Sequence, residues 1–258
     1  MDRRLAFDGN AEGYDRWRPK YCSGLFSDII RYSGIGSESL AVEIGCGTGQ
    51  ATEPILQTGC RVIAVEYGEH LAACAKKKFE NYNNFRVENM EFEKFSCDRG
   101  SVDLVYAATA FHWISEGIGY PKVYNMLKSG GTLALFWNRP HPDQKRPALR
   151  AKMQVAYDCL HTNESSRPHV ESDVDRREAL SKTIKKYGFT ELARHLYEQT
   201  RTFTAEDYLS LLNTYSDHIA IPPPVKRRFE LEIREAIDSE GGVLDIYDVM
   251  DLYLAKKP

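Results

Sequence analysis

The chain has 258 residues, 42% of them hydrophobic and 28% charged, with 34 Lys and Arg against 37 Asp and Glu for a formal net charge of -3. At about 150 residues per domain, that is one large domain or two small ones, long enough to bury a core without disulfide or metal staples. Near-cancelling charge argues against a dedicated nucleic-acid binder, which concentrates positive charge, but leaves room for a local basic pocket. No apolar run approaches the roughly 20 residues of a membrane helix, and no hydrophobic signal segment follows the polar N-terminus. The expectation is a cytoplasmic protein with neither membrane nor nucleic acid as a partner. Cys22, Cys46, Cys60, Cys74, Cys97 and Cys159 include no C-x-x-C pair, so reduced free thiols are expected rather than a zinc site or a disulfide scaffold.

The middle of the chain alternates strand and helix patterns. Residues 39–44 form a short apolar strand that ends at a glycine cluster, and 50–58 read as a helix closed by Gly59. A second apolar strand spans 61–66, a helix 71–79 ends in Lys76, Lys77 and Lys78, and a weak third strand covers 85–87. A fourth strand spans 102–107. Helical sequence at 120–127 is followed by the turn Ser129-Gly130-Gly131 and a strand at 132–137. Near-continuous apolar strands separated by helices predict a parallel sheet covered on both faces, a doubly wound α/β fold. Beyond residue 139 the pattern changes. Helices are expected at 147–160 and 178–187, around a polar stretch at 161–177, and a long strand at 191–203. Thr204 is a helix N-cap followed by the acids Glu206 and Asp207. Pro222, Pro223 and Pro224 mark a helix–helix connection rather than a binding motif. An amphipathic helix at 225–239 and a last strand at 243–255 follow.

The strongest local signal is Glu43-Ile44-Gly45-Cys46-Gly47-Thr48-Gly49-Gln50, a glycine-rich turn directly after the first strand. Such a turn lets backbone approach a nucleotide cofactor closely. The dinucleotide fingerprint is G-x-G-x-x-G. Here the third glycine comes one position early and Gln50 takes its place. Glu66, at the end of the second strand, is the acid expected to accept hydrogen bonds from ribose hydroxyls. Cys46 contributes backbone and small size, since no neighbouring base or cation marks it as a nucleophile.

This spacing, with Glu43 two residues before the first glycine, resembles motif I of class I S-adenosylmethionine-dependent methyltransferases. Other segments resemble the group that includes the trans-aconitate methyltransferases: Phe7, Tyr14, Arg18, Pro19 and Tyr21; Ala110-Phe111-His112-Trp113-Ile114; Leu127-Lys128-Ser129-Gly130-Gly131; and Thr214-Tyr215-Ser216-Asp217-His218. The likeness runs from about residue 7 to residue 255. Cys22 and Ser129 depart from it where the group has proline, and Met90-Glu91-Phe92-Glu93 departs from its G-D-A/F-E segment. The resemblance implies a Rossmann-like, mostly parallel, seven-stranded sheet with a helical cap. It implies one domain over 1–258, with residues 37–138 as the main cofactor half, cap elements within 1–36, 139–181 and 204–241, and final strands at about 190–203 and 243–255. It implies S-adenosyl-L-methionine as cofactor, held by Glu43, Gly45, Cys46, Gly47, Gly49, Glu66, Tyr67, Met90, Glu91, Phe92, Ala107 and Phe111.

Methyl transfer is an in-line displacement at a sulfonium carbon, so the protein mainly aligns the reactants and excludes water. Tyr14, Trp17, Tyr21, Phe111 and Trp113 are candidates for an aromatic wall that tolerates the cation. His112 can serve as general base, as a positioning or cofactor contact, or in packing; an already ionised carboxylate needs no base. Arg18 and Arg139 can pair with the cofactor's carboxylate or with an acidic substrate. Trp113, Arg139, Tyr215 and His218 are the substrate-side candidates, and Tyr14, Arg18 and His112 the catalytic ones. His70, His141, His161, His169 and His195 form no ligand spacing, and no metal is expected. The expected function is methyl transfer to a small molecule, a carboxylate among the options. An RNA or protein methyltransferase and a non-catalytic cofactor binder are the alternatives.

Overall fold

The structure, a computed structural model, describes residues 5, 8–142, 145–160 and 172–258. Phe7, His161 and His169 lie outside the described residues. Seven strands form one sheet: β1 (Leu40–Ile44), β2 (Arg61–Glu66), β3 (Phe85–Asn89), β4 (Val102–Ala108), β5 (Leu127–Pro142), β6 (Thr190–Thr204) and β7 (Val243–Lys256). Their order is β3-β2-β1-β4-β5-β7-β6. The pairs β1–β2, β2–β3, β1–β4 and β4–β5 are parallel, and β7 runs antiparallel to both β5 and β6. The sheet is therefore mostly parallel and doubly wound, as the sequence predicts.

Alternate residues along the strands feed two cores, as the period of two requires. Val42, Ile44, Val105 and Leu135 pack on one face with Tyr120, Val123, Met126 and Ile184, from the helices α5 (Glu116–Met126) and α7 (Asp173–Lys186). Ala41, Val62, Leu104, Tyr106 and Phe136 pack on the other with Leu25, Phe26, Ile29 and Ile55, from α2 (Ser23–Ser33) and α3 (Glu53–Leu56). Burial on both faces is why β1, β2 and β4 read as continuous apolar runs. A third cluster joins α6 (Pro147–Asp158), α8 (Ala205–Leu212) and α10 (Pro223–Ser239) through Leu149, Met153, Leu209, Phe229 and Ile233.

Several elements differ from the sequence reading. The segment before residue 37, expected in the cap, contains α2, which lies against the sheet instead because Leu25, Phe26 and Ile29 share one apolar stripe. The helix expected at 50–58 shrinks to α3, since the glycine loop and its turns consume residues 45–52. The helix α7 starts at Asp173, where the Ser172 hydroxyl accepts from the Asp175 N–H at 3.1 Å. β5 runs past 137 because β7 pairs with it in unbroken register from Thr132↔Lys256 to Pro142↔Ile246. Thr204 caps α8 by accepting from the Asp207 N–H at 3.2 Å, and Pro223 and Pro224 open α10, where a missing N–H costs no helical bond.

Candidate active site

Because the chain winds outward from β1 in both directions, the sheet has its switch point between β1 and β4. Ligand crevices in such sheets lie outside the carboxyl ends of the strands at that point. A cavity of about 310 Å³ lies there. Its floor is residues 45–47 of the loop Gly45–Gly49, in which Gly45, Gly47 and Gly49 all have positive φ. At Gly47 a Cβ would lie 3.1 Å from the Tyr14 ring, so bare backbone lets Tyr14 close down on the loop. At Gly49 a Cβ would meet Phe79 at 2.3 Å, so this glycine serves packing below the loop and does not line the cavity.

Glu66 is buried, and its carboxylate bridges two elements: Oε2 accepts from the Gly47 N–H and Oε1 from the Gly68 N–H, both at 2.8 Å. Burial raises its pKa, and hydrogen bonds from the Gly68, Gly47 and Tyr67 backbone N–H groups oppose that rise. The carboxylate holds the glycine loop to the end of β2 and still faces the cavity. Glu43 behaves differently. It is fully buried beneath the loop, where Oε2 accepts from Thr52 Oγ1 at 2.6 Å and from Tyr106 OH at 2.9 Å. Burial pushes its pKa up to about 7. Glu43 does not line the cavity; it supports the residues that do.

The roof comes from both ends of the chain. In α1 (Ala11–Trp17), Asp15 Oδ1 accepts from Thr48 Oγ1 at 2.8 Å and from Lys78 Nζ at 2.7 Å, which latches the helix over the loop. Asp8 accepts from the His70 and Leu71 N–H groups at 2.8 and 3.0 Å, at the N-terminus of α4 (Glu69–Lys78), where the helix dipole favours a negative charge. The Arg18 guanidinium is sandwiched between the rings of Tyr14 (4.8 Å) and Tyr215 (4.2 Å), and its Nη2 donates to the Thr214 carbonyl at 2.7 Å. It brings a positive charge to the cavity wall. Burial raises the phenol pKa values of Tyr14 and Tyr215, so both stay neutral.

Of the residues singled out from sequence, Tyr14, Arg18, Gly45, Cys46, Gly47, Glu66, Tyr67, Met90, Glu91, Phe92, His112, Trp113 and Tyr215 all line the cavity. Burial pushes the Cys46 thiol well up, which leaves it a poor nucleophile. Other singled-out residues do not line it. Ala107 faces the core and its neighbour Ala108 lines the cavity, because successive strand residues point to opposite faces. Phe111 is buried edge-to-face against Tyr120, with ring centroids 4.9 Å apart. Arg139 is drawn away by Asp251, to which Nε donates at 2.8 Å. His218 is buried beside Tyr157 and Phe229, with ring centroids at 6.2 and 5.3 Å. Trp17 packs with the helical cluster of α6, α8 and α10. Among the described residues, no group of three or more His, Cys, Asp or Glu could hold a metal.

Two cavity residues escape the sequence motifs. Thr109 follows β4 with φ at 51°, an uncommon conformation for a β-branched residue and one that collects at functional sites. Its hydroxyl bonds Tyr21 OH at 2.7 Å and accepts from the Asn138 N–H at 3.2 Å. Asn138 Nδ2 donates to Asp248 Oδ1 at 2.8 Å. Asp248 is fully buried and also takes the Arg201 guanidinium through Nε and Nη2. Asn138 directly follows the predicted strand at 132–137 and Thr109 lies two residues past the one at 102–107, so the rule that strand ends line the crevice is the signal that finds them.

Known proteins align with this architecture. Residues 42–135 match the family described as Methyltransferase domain. An uncharacterized methyltransferase of Schizosaccharomyces pombe is 26% identical over 232 residues, which is 90% of this chain and 86% of that one. A structure of a candidate type II methyltransferase from Anaeromyxobacter dehalogenans superposes with a TM-score of 0.64 at 19% identity, covering 93% of this chain and 97% of that one. Phosphoethanolamine N-methyltransferase 2 of Haemonchus contortus, solved with phosphomonomethylethanolamine and S-adenosylhomocysteine, gives 0.56 at 12% identity, covering 100% of this chain and 60% of that one. The last two establish the likeness of fold. The matched domain spans the glycine loop, Glu66 and the end of β4, which build the floor of the cavity, and this match together with the methyltransferase relatives supports S-adenosylmethionine-dependent methyl transfer.

Proposed function

We propose that this cavity transfers the methyl group to a small acidic molecule, in the manner of the trans-aconitate methyltransferases that the sequence resembles. The observation that carries the reading is the pairing of Glu66 on the floor with the Tyr14–Arg18–Tyr215 clamp in the roof of one cavity. The bare Gly47 backbone and the Glu66 carboxylate fit a ribose. Each Glu66 oxygen accepts a backbone N–H, the Tyr67 N–H also bonds the carboxylate, and the carboxylate keeps lone-pair capacity for a ribose hydroxyl. When bound, S-adenosylmethionine supplies an electrophilic methyl on a sulfonium. The chain's own residues then bind, orient and exclude water. Glu66 receives the ribose hydroxyls, with Glu91 and the Phe92 backbone at the adenine. Tyr14, Trp113 and Tyr215 wall the reacting centre. Arg18 holds a carboxylate, either that of the cofactor's methionine end or that of the acceptor.

The formal charge of -3 supports this reading over a nucleic-acid substrate. All six cysteines are unpaired, which accords with a reducing, cytoplasmic setting. No described helix is long and apolar enough to cross a membrane. The test is transfer of labelled methyl from S-adenosylmethionine onto a panel of acidic, phenolic and amine metabolites. The expected result is transfer to an acid; transfer only to RNA or protein overturns the small-molecule reading.

A further inference from the structure

His112 lies in the single helical turn Phe111–Trp113 that follows β4, and its ring is open to the cavity. One of its nitrogens is taken. The indole Nε1 of Trp137, on β5, donates to His112 Nδ1 at 3.2 Å. An indole N–H can only donate. The Nδ1 lone pair must therefore accept, and the neutral ring carries its proton on Nε2. Among the described residues none bonds Nε2. Protonating Nδ1 would set one N–H against another and break the Trp137 contact. Two further effects keep the ring neutral: burial by the surrounding protein, then the positive charge of Arg139, lower its pKa. Arg139 stays nearby on β5 because Asp251 holds it there, so the bridge that withdraws it from the cavity also maintains its field at His112.

We infer that Trp137 locks His112 as the Nε2–H tautomer, so that His112 presents a hydrogen-bond donor to an oxygen of the methyl acceptor and takes no proton from it. The tautomer stands on geometry alone; only the identity of the group that meets Nε2 rests on the small-molecule reading above. The chemical consequence concerns the acceptor. A general base would need a free lone pair at the cavity, and the only lone pair on this ring is already engaged by the indole. The acceptor oxygen must then reach the site ionised. It forms the new C–O bond with its own electron pair, the C–S bond breaks with its pair returning to sulfur, and no proton moves. His112 steadies the oxygen that does not attack, or the anion as a whole, beside the charge of Arg18.

Nuclear magnetic resonance of protein carrying isotope-labelled histidine tests the lock, with long-range proton–nitrogen correlations recorded at neutral pH with S-adenosylhomocysteine added. The expected pattern for His112 is an unprotonated Nδ1 and a protonated Nε2, and Trp137→Phe should convert it to a mixture of the two tautomers. A protonated Nδ1 at neutral pH, in either the neutral or the charged ring, overturns the proposal, and it does so without any acceptor in hand. The role is tested by kinetics with the acid that accepts methyl in the panel above. His112→Gln, whose amide can donate near the Nε2 position, should stay within about tenfold of wild type in kcat/KM. His112→Ala should fall by about 10- to 100-fold, the range for a hydrogen bond to a charged group. The wild-type kcat should be flat across the neutral range. Equal loss in the two variants, together with a kcat that rises as one group deprotonates, would restore the general base.

Discussion

Replacing Glu66 by Gln tests the floor of the site by counting lone pairs. An ionised carboxylate offers about four acceptor positions. The Gly47 N–H takes one on Oε2 and the Gly68 N–H one on Oε1, each at 2.8 Å, and the Tyr67 N–H also bonds the carboxylate. What remains is open to a ribose hydroxyl. In Glu66→Gln one oxygen becomes an NH2 group. Whichever way the amide turns, it faces a backbone N–H group with a donor, and a ribose hydroxyl loses its charged acceptor. Hydrogen bonds to charged groups contribute about 1.5–3 kcal/mol each. Loss of one on the cofactor side corresponds to roughly a 10- to 100-fold weaker Kd. Calorimetric titration with S-adenosylhomocysteine measures it. A thermal melt on the same sample separates loss of affinity from loss of fold, since the Gly47 contact also ties the loop to β2. A folded Glu66→Gln protein whose Kd lies within twofold of wild type would refute the assignment of Glu66 to the ribose.

Two other substitutions probe what lies under the loop. Burial raises the Glu43 pKa to about 7, above the roughly 4.3 of an unfolded chain. Stability from this carboxyl is therefore fully present below about pH 4 and lost as pH rises through about 7, on the order of 3 kcal/mol in total. Glu43→Gln, whose carbonyl can still accept from Thr52 and Tyr106, should melt above wild type at pH about 8 and lose most of that advantage near pH 5. An equal Tm gap at the two pH values contradicts the buried-carboxyl account. Gly49→Ala places a Cβ 2.3 Å from Phe79 at a φ of +88°. Left-handed strain of about 1–2 kcal/mol and overpacking of about 1–3 kcal/mol should lower stability by roughly 2–5 kcal/mol in denaturant unfolding. An unchanged midpoint would show that the loop accommodates the methyl.

The parts of the fold legible in the sequence are those governed by local rules. Continuous apolar runs at 40–44, 61–66 and 102–107 could belong only to strands buried on both faces, and α8 announced itself by the Thr204 cap. Where elements ended was less legible. The extension of β5 depends on β7, more than a hundred residues later in the chain, and the start of α7 depends on a serine cap within polar sequence. The helix α2 escaped notice because a single stripe of Leu25, Phe26 and Ile29 differs little from any short apolar pattern until a sheet lies beneath it.

The same division runs through the site. Gly45, Gly47, Gly49 and Glu66 could be read directly, since a turn that closes a strand and an acid that closes the next are fixed by spacing along the chain. Which side chains reach the cavity was settled by partners distant in sequence. Arg139 carried the right charge at a strand end, yet Asp251, 112 residues away, holds it. His218 sat in a matching motif but fills an aromatic niche made by Tyr157 and Phe229. Asn138 gained its place through Asp248, and His112 its protonation state through Trp137. By itself, then, the sequence determined the parallel strands and the glycine loop, because periodicity and turn chemistry are properties of neighbouring residues, and its resemblance to class I methyltransferases implied the cofactor. The tertiary structure alone decided which charges stay available and which nitrogen holds a proton, because both depend on the groups that folding packs against them.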